Sequence, residues 1–283
     1  MGATVIDGKA LADRHAAQLK ARVDRLLEKG IQPRLAVILA GDNPASEVYV
    51  RLKQKRAAEL GIKTDVYVYN SGVSDKTLVD CLAKLNADSG VHGILVQLPL
   101  PGHMDEQSVL AHVLPEKDVD GIHPFNAGAL MCDEAGFVAC TPRGVLALIQ
   151  STGESVEGKN AVVVGRSRMV GKPAALLLLQ NDATVTLCHS KTRDLAAATK
   201  TADILVCAAG CPGLIKADML KPGAIVIDVG TTKVEGKWYG DVEFSPACEV
   251  ASYITPVPGG VGPMTIIMLM ENTVEAAEKK AHG

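Results

Sequence analysis

Tyr49 and Lys53 are the residues of the amino-terminal half whose types and spacing most directly suggest chemistry. They are four positions apart on a predicted helix, so both side chains project from one face, one turn apart. A lysine has a pKa of about 10.4 in water and can act as a base near neutrality only where burial or a nearby positive charge lowers that pKa. The same pair is also typical of a surface aromatic ring packed beside a lysine stem. Both interpretations stay open on these two residues alone.

Gln97 and Asp120 are polar residues at the end of a predicted strand and in the region after it, respectively. Gln97 falls at the carboxyl end of the strand predicted over Val91–Leu98, which is where ligands bind in open α/β sheets. The Asp120 carboxylate, in Asp118-Val119-Asp120-Gly121, can accept two hydrogen bonds from an amino-pyrimidine-like edge. Asp-Gly is equally common in ordinary turns, so a structural interpretation remains open for this segment.

A glycine-containing loop, Gly165-Arg166-Ser167-Arg168-Met169-Val170-Gly171-Lys172-Pro173, lies between a predicted strand and a predicted helix. Backbone N–H groups and the helix dipole favour a phosphate at such a position. The loop is not G-x-G-x-x-G, because Ser167 replaces the middle glycine and the last glycine comes one position late. It is not a P-loop either, since Pro173 stands where a hydroxyl would have to hold magnesium. The loop therefore favours a dinucleotide over nucleotide hydrolysis.

Arg166 and Ser190 indicate which dinucleotide is preferred. Both lie where the 2′-phosphate of NADP would sit on the adenosine ribose, Arg166 in the loop and Ser190 just after the second strand. NAD-binding proteins carry an acidic residue there, whereas this chain has Cys188-His189-Ser190-Lys191. Since no carboxylate stands at this position to repel a 2′-phosphate, the sequence favours NADP. The alternative interpretation is that Arg166 is a solvent-exposed arginine and Ser190 a turn residue, neither of which binds a ligand.

Histidines and cysteines show no metal-binding pattern. The seven histidines have no ligand spacing with one another or with cysteines, so no catalytic metal is expected. The seven cysteines include no Cys-x-x-Cys pair, and their odd number does not suggest a disulfide framework. Most are expected to be small buried residues in a reducing compartment.

The elements that must position these residues form alternating strands and helices. In the first half the apolar periodicity predicts helices over Ala10–Lys29, Ala45–Leu60 and Asp75–Leu85, and strands over Arg34–Leu39, Thr64–Tyr69 and Val91–Leu98. In the second half it predicts strands over Asn160–Val164, Thr184–Leu187, Ile204–Cys207 and Ala224–Val229, and a helix over Val170–Gln180. A last helix, Thr265–Lys280, follows the rigid segment Pro256–Pro263. The fold class is therefore α/β with parallel sheets, and the domain boundary is expected between Met131 and Pro142.

Length and composition limit the classes of partner. The 283 residues suit about two domains, and 47% hydrophobic residues can build a core in each. The net charge of -3 provides no field for nucleic acid or an anionic membrane. The first residues lack a signal-peptide pattern, and the longest apolar runs are too short to span a bilayer. A cytoplasmic protein is expected.

Taken in order, these motifs resemble the bifunctional methylenetetrahydrofolate dehydrogenase/methenyltetrahydrofolate cyclohydrolase family over essentially the whole chain. The motifs that carry the resemblance are Ser46-x-x-Tyr49-x-x-x-Lys53, Gln97-Leu98-Pro99-Leu100-Pro101, Asp118-Val119-Asp120-Gly121, Thr141-Pro142, Gly165–Pro173, Cys188-His189-Ser190-Lys191-Thr192 and Pro256–Pro263. Each is weak alone, but their joint order and spacing are specific and outweigh the structural interpretations given above.

The resemblance implies two α/β domains around a cleft, the carboxyl-terminal one a Rossmann-like dinucleotide-binding domain, in a homodimer formed through the cofactor domains. The folate-binding and catalytic domain would be 1–138 with the helix 265–283 packed back on it, and the NADP-binding domain 139–264. The implied catalytic residues are Lys53, Tyr49 and Gln97, which would bind folate together with Asp120, Pro258, Gly259 and Gly260. The implied NADP ligands are Gly165, Arg166, Ser167, Ser190 and Thr231.

The implied activity is oxidation of 5,10-methylenetetrahydrofolate with NADP and hydrolysis of the product to 10-formyltetrahydrofolate, in one-carbon metabolism that serves purine, histidine and methionine biosynthesis. Two alternatives remain: a catalytically silent nucleotide sensor and a monofunctional dehydrogenase of the same family. Intact Tyr49, Lys53 and Gln97 disfavour the first, and Lys53 disfavours the second. The Tyr-x-x-x-Lys pair also resembles short-chain dehydrogenases, but in those the glycine loop precedes the pair.

Overall fold

A computed structural model describes residues 2–282, and these divide into two compact units. The amino-terminal unit consists of Arg14–Cys140 and the described residues from Ile266 onward. The carboxyl-terminal unit consists of Thr141–Thr265 and the described residues up to Asp13. Met1 and Gly283, which the sequence assigns to the folate-binding domain, lie outside the described residues.

Helices and strands alternate along most of the chain, as the apolar pattern predicts. The helices are α1 (Gly8–Glu28), α2 (Pro44–Leu60), α3 (Asp75–Ala87), α4 (Glu106–Leu110), α5 (Pro124–Met131), α6 (Cys140–Gln150), α7 (Gly171–Gln180), α8 (Leu195–Thr199), α9 (Phe244–Ala247) and α10 (Val261–His282). The strands are β1 (Thr4–Val5), β2 (Arg34–Ala40), β3 (Lys63–Tyr69), β4 (Gly93–Gln97), β5 (Asn160–Val164), β6 (Thr184–Cys188), β7 (Ile204–Cys207), β8 (Ile225–Asp228), β9 (Thr232–Val234), β10 (Lys237–Tyr239) and β11 (Tyr253–Ile254).

The amino-terminal unit contains a three-stranded parallel sheet with the order β3-β2-β4. Its central strand, β2, is buried along almost its whole length, which explains its continuous apolar sequence. Ile38 of that strand lies in a core with Leu78 and Leu82 of α3 and Ile94 of β4. Because the strands are parallel, their carboxyl ends share one edge, and Gln97 lies at that edge beside Leu39.

The carboxyl-terminal unit contains a six-stranded parallel sheet with the order β1-β11-β8-β7-β5-β6. Strand β5 has β6 on one side and β7 on the other, so the direction of chain progression reverses between β5 and β7. Such a switch point is where open α/β sheets bind their ligands. The four strands predicted in this half are confirmed, with bounds that differ by at most one residue.

The sequence assigns the first residues to the domain 1–138, but in the structure the described residues up to Asp13 group with the carboxyl-terminal unit. Strand β1 pairs with β11 at the edge of the six-stranded sheet. Helix α1 then begins at Gly8, where a Cβ atom would lie 1.9 Å from the carbonyl oxygen of Gly260. Two-residue strands carry too little pattern to be predicted, which is why this pairing has no sequence signal.

Helix α10 begins at Val261, four residues before the predicted start at Thr265. Pro263 is therefore the third residue of the helix, where the missing N–H costs nothing because the first four N–H groups of a helix have no partner within it. The last three residues of the segment Pro256–Pro263, which was expected to be rigid, thus belong to the first turn of the helix. None of the helices within residues 2–282 combines the length and apolar composition that a membrane span requires.

Candidate functional site

Helix α2 places Lys53 on its buried face. The helix starts at Pro44 after Asn43, whose side chain accepts a hydrogen bond from the Ala45 N–H at 2.9 Å, and it ends at Gly61 in the left-handed conformation. Its buried residues recur at helical spacing: Ser46, Val50, Lys53, Ala57 and Leu60. Lys53 is only 9% exposed, so its amine is held within the unit rather than in solvent.

The Lys53 amine donates a 2.8 Å hydrogen bond to Oε1 of Gln97. The amide nitrogen of Gln97 in turn donates to the Leu98 carbonyl at 2.8 Å, which fixes the orientation of the amide. Gln97 thus orients the lysine with a neutral group that adds no charge to hold the proton. The structure brings these two predicted residues into direct contact although they lie far apart in the sequence.

Burial and opposite charge control protonation of Lys53 and Asp120. Burial lowers the pKa of Lys53 below its ordinary value, and the Asp120 carboxylate, followed by Cys140, offsets part of that shift. Burial raises the pKa of Asp120, while Lys53 and a hydrogen bond from the Cys140 thiol lower it. Since desolvation disfavours charge on both groups, a neutral lysine is accessible closer to neutrality than in water. The arrangement therefore contains an amine that can exchange protons.

Tyr49 and Ser46 complete the part of α2 that belongs to this site. Tyr49 is partly exposed, one turn before Lys53, and its ring is open to a ligand. Ser46 is buried, and its hydroxyl donates to the Leu98 carbonyl at 3.4 Å. This hydrogen bond joins α2 to the residue that follows β4, beside Gln97.

The loop that carries Asp120 is fixed by its neighbours. The buried carboxylate of Asp118 accepts hydrogen bonds from the His123 N–H and the Asn126 side chain, both at 2.8 Å. Burial raises the pKa of Asp118 to about 6, although these hydrogen bonds oppose the shift. Gly121 has a φ of 71°, and a Cβ atom there would lie 2.4 Å from the backbone of Val138. A residue with a side chain would clash at this position, so glycine is needed for the Asp120 loop to pack against Val138.

Cys140 is a site residue that the sequence did not identify, because it was expected to be one of several small buried residues. It is 2% exposed, and its thiol donates to the Val119 carbonyl at 3.3 Å. The thiol raises the pKa of Lys53 through its charge and lowers the pKa of Asp120 through a hydrogen bond. Its position directly before the Thr141-Pro142 motif was the only available signal.

The glycine-containing loop forms a second candidate site, in the carboxyl-terminal unit. Gly165 has a φ of 124°, and a Cβ atom there would lie 2.1 Å from the Ala208 carbonyl oxygen. A Cβ atom at Gly171 would lie 2.0 Å from the Gly165 carbonyl oxygen. The loop after β5 therefore packs closely against the residue after β7, at the switch point of the sheet.

The same loop presents hydrogen-bond donors at the start of α7. The Ser167 hydroxyl accepts from the N–H groups of Val170 and Gly171 at 3.2 and 3.3 Å. Within residues 2–282, the backbone N–H groups of Arg166, Ser167 and Arg168 donate to no protein acceptor. We call the closely packed backbone at Gly165 and Gly171 the glycine cradle. This cradle and these three N–H donors fit a dinucleotide phosphate.

Ser190 and Thr231 lie at the same edge of the six-stranded sheet. Ser190 follows β6, the neighbour of β5, and the Gly165 N–H donates to the Cys188 carbonyl at 2.9 Å. Thr231 follows β8, which lies beyond β7. Arg166, Ser190 and Thr231 are all exposed and available to a ligand.

Two buried carboxylates that the sequence did not identify shape the loops at this edge. Asp241 accepts hydrogen bonds from the N–H groups of Ala209, Gly210 and Cys211 at 2.6, 3.0 and 2.7 Å. Asp228 accepts hydrogen bonds from the backbone N–H groups of Gly230, Asp241 and Val242 at 2.9 to 3.0 Å. Burial raises the pKa of Asp228 to about 6. Aspartates after strands are common, so nothing in the sequence marked this pair.

Pro258, Gly259 and Gly260 belong to the carboxyl-terminal unit, whereas Tyr49, Lys53, Gln97 and Asp120 belong to the amino-terminal unit. Gly259 has a φ of 106°, and the Gly260 N–H donates to the Pro256 carbonyl at 3.0 Å. The residues predicted for folate thus form one cluster in the amino-terminal unit and a turn before α10 in the other.

Two family models match the chain. The NAD(P)-binding domain of tetrahydrofolate dehydrogenase/cyclohydrolase matches residues 139–281, and the catalytic domain of the same enzymes matches residues 6–120. Together they include both candidate sites.

Relatives match at nearly full length. The bifunctional protein FolD of Exiguobacterium sibiricum is 54% identical, covering 98% of this chain and 100% of the relative, and FolD 2 of Myxococcus xanthus is 55% identical, covering 98% and 96%. The crystal structure of the bifunctional enzyme FolD from Campylobacter jejuni has a TM-score of 0.96 at 49% identity, covering 98% of this chain and 99% of that one. The FolD of Trypanosoma brucei, crystallised with NADP cofactor and an inhibitor, has a TM-score of 0.96 at 41% identity and covers 100% of both chains.

Proposed function

The chain belongs to the tetrahydrofolate dehydrogenase/cyclohydrolase family, and we propose that it converts 5,10-methylenetetrahydrofolate to 10-formyltetrahydrofolate in two steps, with Lys53 as the proton-transfer group of the second. The first step is an NADP-dependent oxidation to 5,10-methenyltetrahydrofolate, and the second is hydrolysis of that cation. The observation that carries the residue assignment is the buried Lys53 amine held by Gln97 at 2.8 Å beside Asp120.

The cyclohydrolase step needs a base and then an acid at one place. Water adds to the methenyl carbon and loses one proton to neutral Lys53, which leaves a neutral hydroxyl adduct. Lys53 then returns that proton to N5 as the bond from the carbon to N5 breaks, and the hydroxyl group loses its own proton to solvent as the formyl C=O forms. One proton is therefore released overall with the loss of the substrate's positive charge. The lowered pKa of Lys53 makes the neutral form accessible, and Gln97 keeps the amine in place.

The dehydrogenase step transfers no proton, so the protein mainly supplies geometry. Bound NADP supplies the hydride acceptor. Tyr49 orients the pterin by stacking on its pyrimidine ring, and the Asp120 carboxylate accepts hydrogen bonds from the amino-pyrimidine edge. We propose the folate ligands Tyr49, Lys53, Gln97 and Asp120 in the amino-terminal unit, with Pro258, Gly259 and Gly260 as further contacts.

The carboxyl-terminal unit is proposed to bind NADP through Gly165, Arg166, Ser167, Ser190 and Thr231. The glycine cradle and the unpaired loop N–H groups suit the phosphates. Arg166 and Ser190, without an acidic residue after β6, suit the 2′-phosphate that distinguishes NADP from NAD.

Substitution of Arg166 by glutamine should raise the KM for NADP about 10- to 100-fold, because a lost charge-assisted hydrogen bond costs about 1.5 to 3 kcal/mol. The KM for NAD, which lacks the 2′-phosphate, should stay unchanged. Initial rates with each dinucleotide check this. Arg168→Gln is the matched control, since Arg168 is exposed on the same loop and should affect neither KM. Equal increases for NADP and NAD would remove Arg166 from the 2′-phosphate site.

Substitution of Asp120 by alanine should raise the KM for folate about 10-fold or more, because two charge-assisted hydrogen bonds to the pterin are lost. The KM for NADP should not change. Steady-state kinetics with each substrate varied separately measure both values. Asp80→Ala, which removes an exposed carboxylate paired with Lys76, is the control. An unchanged folate KM in Asp120→Ala would contradict the assigned anchor.

The function itself is tested with the purified chain, 5,10-methylenetetrahydrofolate and either NADP or NAD, with reduced dinucleotide and 10-formyltetrahydrofolate followed separately. If the chain has both activities, both products should form, and they should form faster with NADP than with NAD. Reduced dinucleotide without formyl product would indicate a monofunctional dehydrogenase. Dinucleotide binding without either product would indicate a silent nucleotide sensor.

The assembly and the cellular setting belong to the same proposal. A homodimer formed through the carboxyl-terminal units is supported by the edge strand β6, whose Leu187 is 37% exposed, and by α7, which packs on β6 and whose Leu179 is 56% exposed. The net charge of -3 supports an enzyme that acts in the cytoplasm without nucleic acid or membrane partners. Its products would supply one-carbon units to purine, histidine and methionine biosynthesis.

A further inference from the structure

Asn272 is a fully buried polar residue in α10 that no motif of the chain includes. It lies in the amino-terminal unit among apolar helix residues such as Met268, Leu269 and Val274, all at most 2% exposed. An amide in such a place is costly unless its polar atoms are hydrogen-bonded. Its partners therefore indicate what the residue does.

The Asn272 side chain bonds the two backbone segments that carry Asp120 and Cys140. Its amide nitrogen donates to the Val119 carbonyl at 2.7 Å and to the Val138 carbonyl at 3.1 Å, and it lies 3.6 Å from the Cys140 sulfur. Val119 directly precedes Asp120, and Val138 lies two residues before Cys140. One amide thus clamps both segments to α10.

The clamped segments also contact each other. The Cys140 N–H donates to the Asp120 carbonyl at 3.3 Å. The sulfur of the Cys140 thiol lies 3.3 Å from the Val119 carbonyl oxygen, and its single S–H is also within hydrogen-bonding reach of the Asp120 carboxylate, whose pKa it lowers. Asp120 in turn acts on the charge of Lys53. A continuous path of contacts therefore runs from Asn272 through Val119 and Cys140 to the Asp120 carboxylate.

We propose that Asn272 is a positioning residue of the folate site, which sets the place of the Asp120 carboxylate relative to the Lys53 amine from the far side of the Asp120 loop. The inference rests on the proposed function, because it assigns Asn272 an effect on folate binding and on the cyclohydrolase base. Asn272 belongs to the amino-terminal unit and the proposed NADP ligands belong to the carboxyl-terminal unit, so we expect the effect on folate and not on NADP.

The primary test compares Asn272→Leu with Thr273→Val in the full-length enzyme. Thr273 is the adjacent residue, equally buried, and its hydroxyl donates to the Leu269 carbonyl within its own helix. Asn272→Leu loses two buried hydrogen bonds to carbonyls and Thr273→Val loses one, so both should lower Tm. Only Asn272→Leu should raise the folate KM, by about 10-fold if the displaced Asp120 carboxylate loses about 1.4 kcal/mol of its interaction with folate. The KM for NADP should stay unchanged in both. Equal folate KM values in the two variants would overturn the proposal.

The pH profile gives a readout that a stability role does not move. The Asp120 charge raises the pKa of Lys53, so a displaced carboxylate lets that pKa fall further. The neutral base then persists to lower pH, and the acidic limb of the cyclohydrolase kcat profile should move to lower pH in Asn272→Leu. It should stay in place in Thr273→Val. A limb that stays in place or moves to higher pH in Asn272→Leu would contradict the inference.

A double-mutant cycle shows whether the effect passes through Asp120. If it does, Asn272→Leu combined with Asp120→Asn should raise the folate KM little beyond Asp120→Asn alone. Multiplicative effects would overturn the proposal. Should Asn272→Leu fail to fold, Asn272→Ser, which keeps a small polar group, is used with the same predictions at smaller amplitude. A wild-type enzyme without cyclohydrolase activity would instead contradict the proposed function, whereas an active wild type with equal variants contradicts only this inference.

Discussion

Replacement of Lys53 by methionine should lower the rate of methenyltetrahydrofolate hydrolysis by roughly two to four orders of magnitude, the usual contribution of a general acid–base group. Hydride transfer to NADP should remain measurable, because that step moves no proton. Methionine keeps the length and apolar stem of the buried side chain, so the 9% exposed position should stay filled. The loss is therefore expected in one activity and not in the other.

Both activities can be measured on one preparation, as the disappearance of methenyltetrahydrofolate and as the appearance of NADPH. Lys55→Met is the matched control, because Lys55 is exposed on the same helix two residues later. It should leave both rates unchanged. If Lys53→Met hydrolysed methenyltetrahydrofolate at the wild-type rate, Lys53 would have no part in proton transfer.

The pH dependence of the wild-type enzyme follows from the same assignment. The base is the neutral amine, whose population increases as the pH rises through the pKa of Lys53. The cyclohydrolase rate should therefore fall on acidification, with its acidic limb below the ordinary lysine pKa because burial lowers the pKa of Lys53. The dehydrogenase rate should show no such limb.

Replacement of Gly165 by alanine should abolish measurable NADP binding and lower the free energy of unfolding by about 2 to 6 kcal/mol, since overpacking and a strained backbone each cost about 1 to 3 kcal/mol. The added Cβ would lie 2.1 Å from the Ala208 carbonyl oxygen, at a φ of 124° that alanine rarely adopts. The loop after β5 would have to move away from β7. Isothermal titration with NADP and thermal unfolding measure the two effects.

Gly158→Ala separates close packing from backbone strain. Gly158 also has a positive φ, 72°, but a Cβ atom there would have nothing within 4 Å. It should destabilise the chain modestly and leave NADP affinity intact. If Gly165→Ala bound NADP as tightly as Gly158→Ala does, the cradle would not be the phosphate site.

The parts of the fold with strong local patterns could be predicted from the sequence. Strand β2 was predicted to within one residue because it is a continuous apolar run between a proline-containing turn and a helix with a clear start. Helix α2 was predicted because Asn43 and Gly61 mark its ends. Strands β1 and β11, two residues each, were not predicted, since their pairing depends on a partner far along the chain.

The candidate site divides in the same way. Lys53 and Gln97 could be proposed from a helix face and a strand end, and the structure shows their contact. Cys140, Asn272 and Asp241 could not, because each acts through backbone groups that come near only in the folded chain. Their types are ordinary in buried positions, so only their partners reveal what they do.

The most direct test of the account is a crystal structure of the enzyme with NADP and a reduced-folate analogue. The account predicts N5 of the analogue, or a water molecule placed to attack its one-carbon bridge, within hydrogen-bonding distance, about 3 Å, of the Lys53 amine. It also predicts the amino-pyrimidine edge on Asp120 and the dinucleotide phosphates on the Gly165 loop. An analogue bound elsewhere, with the Lys53 amine still bonded only to Gln97, would contradict it.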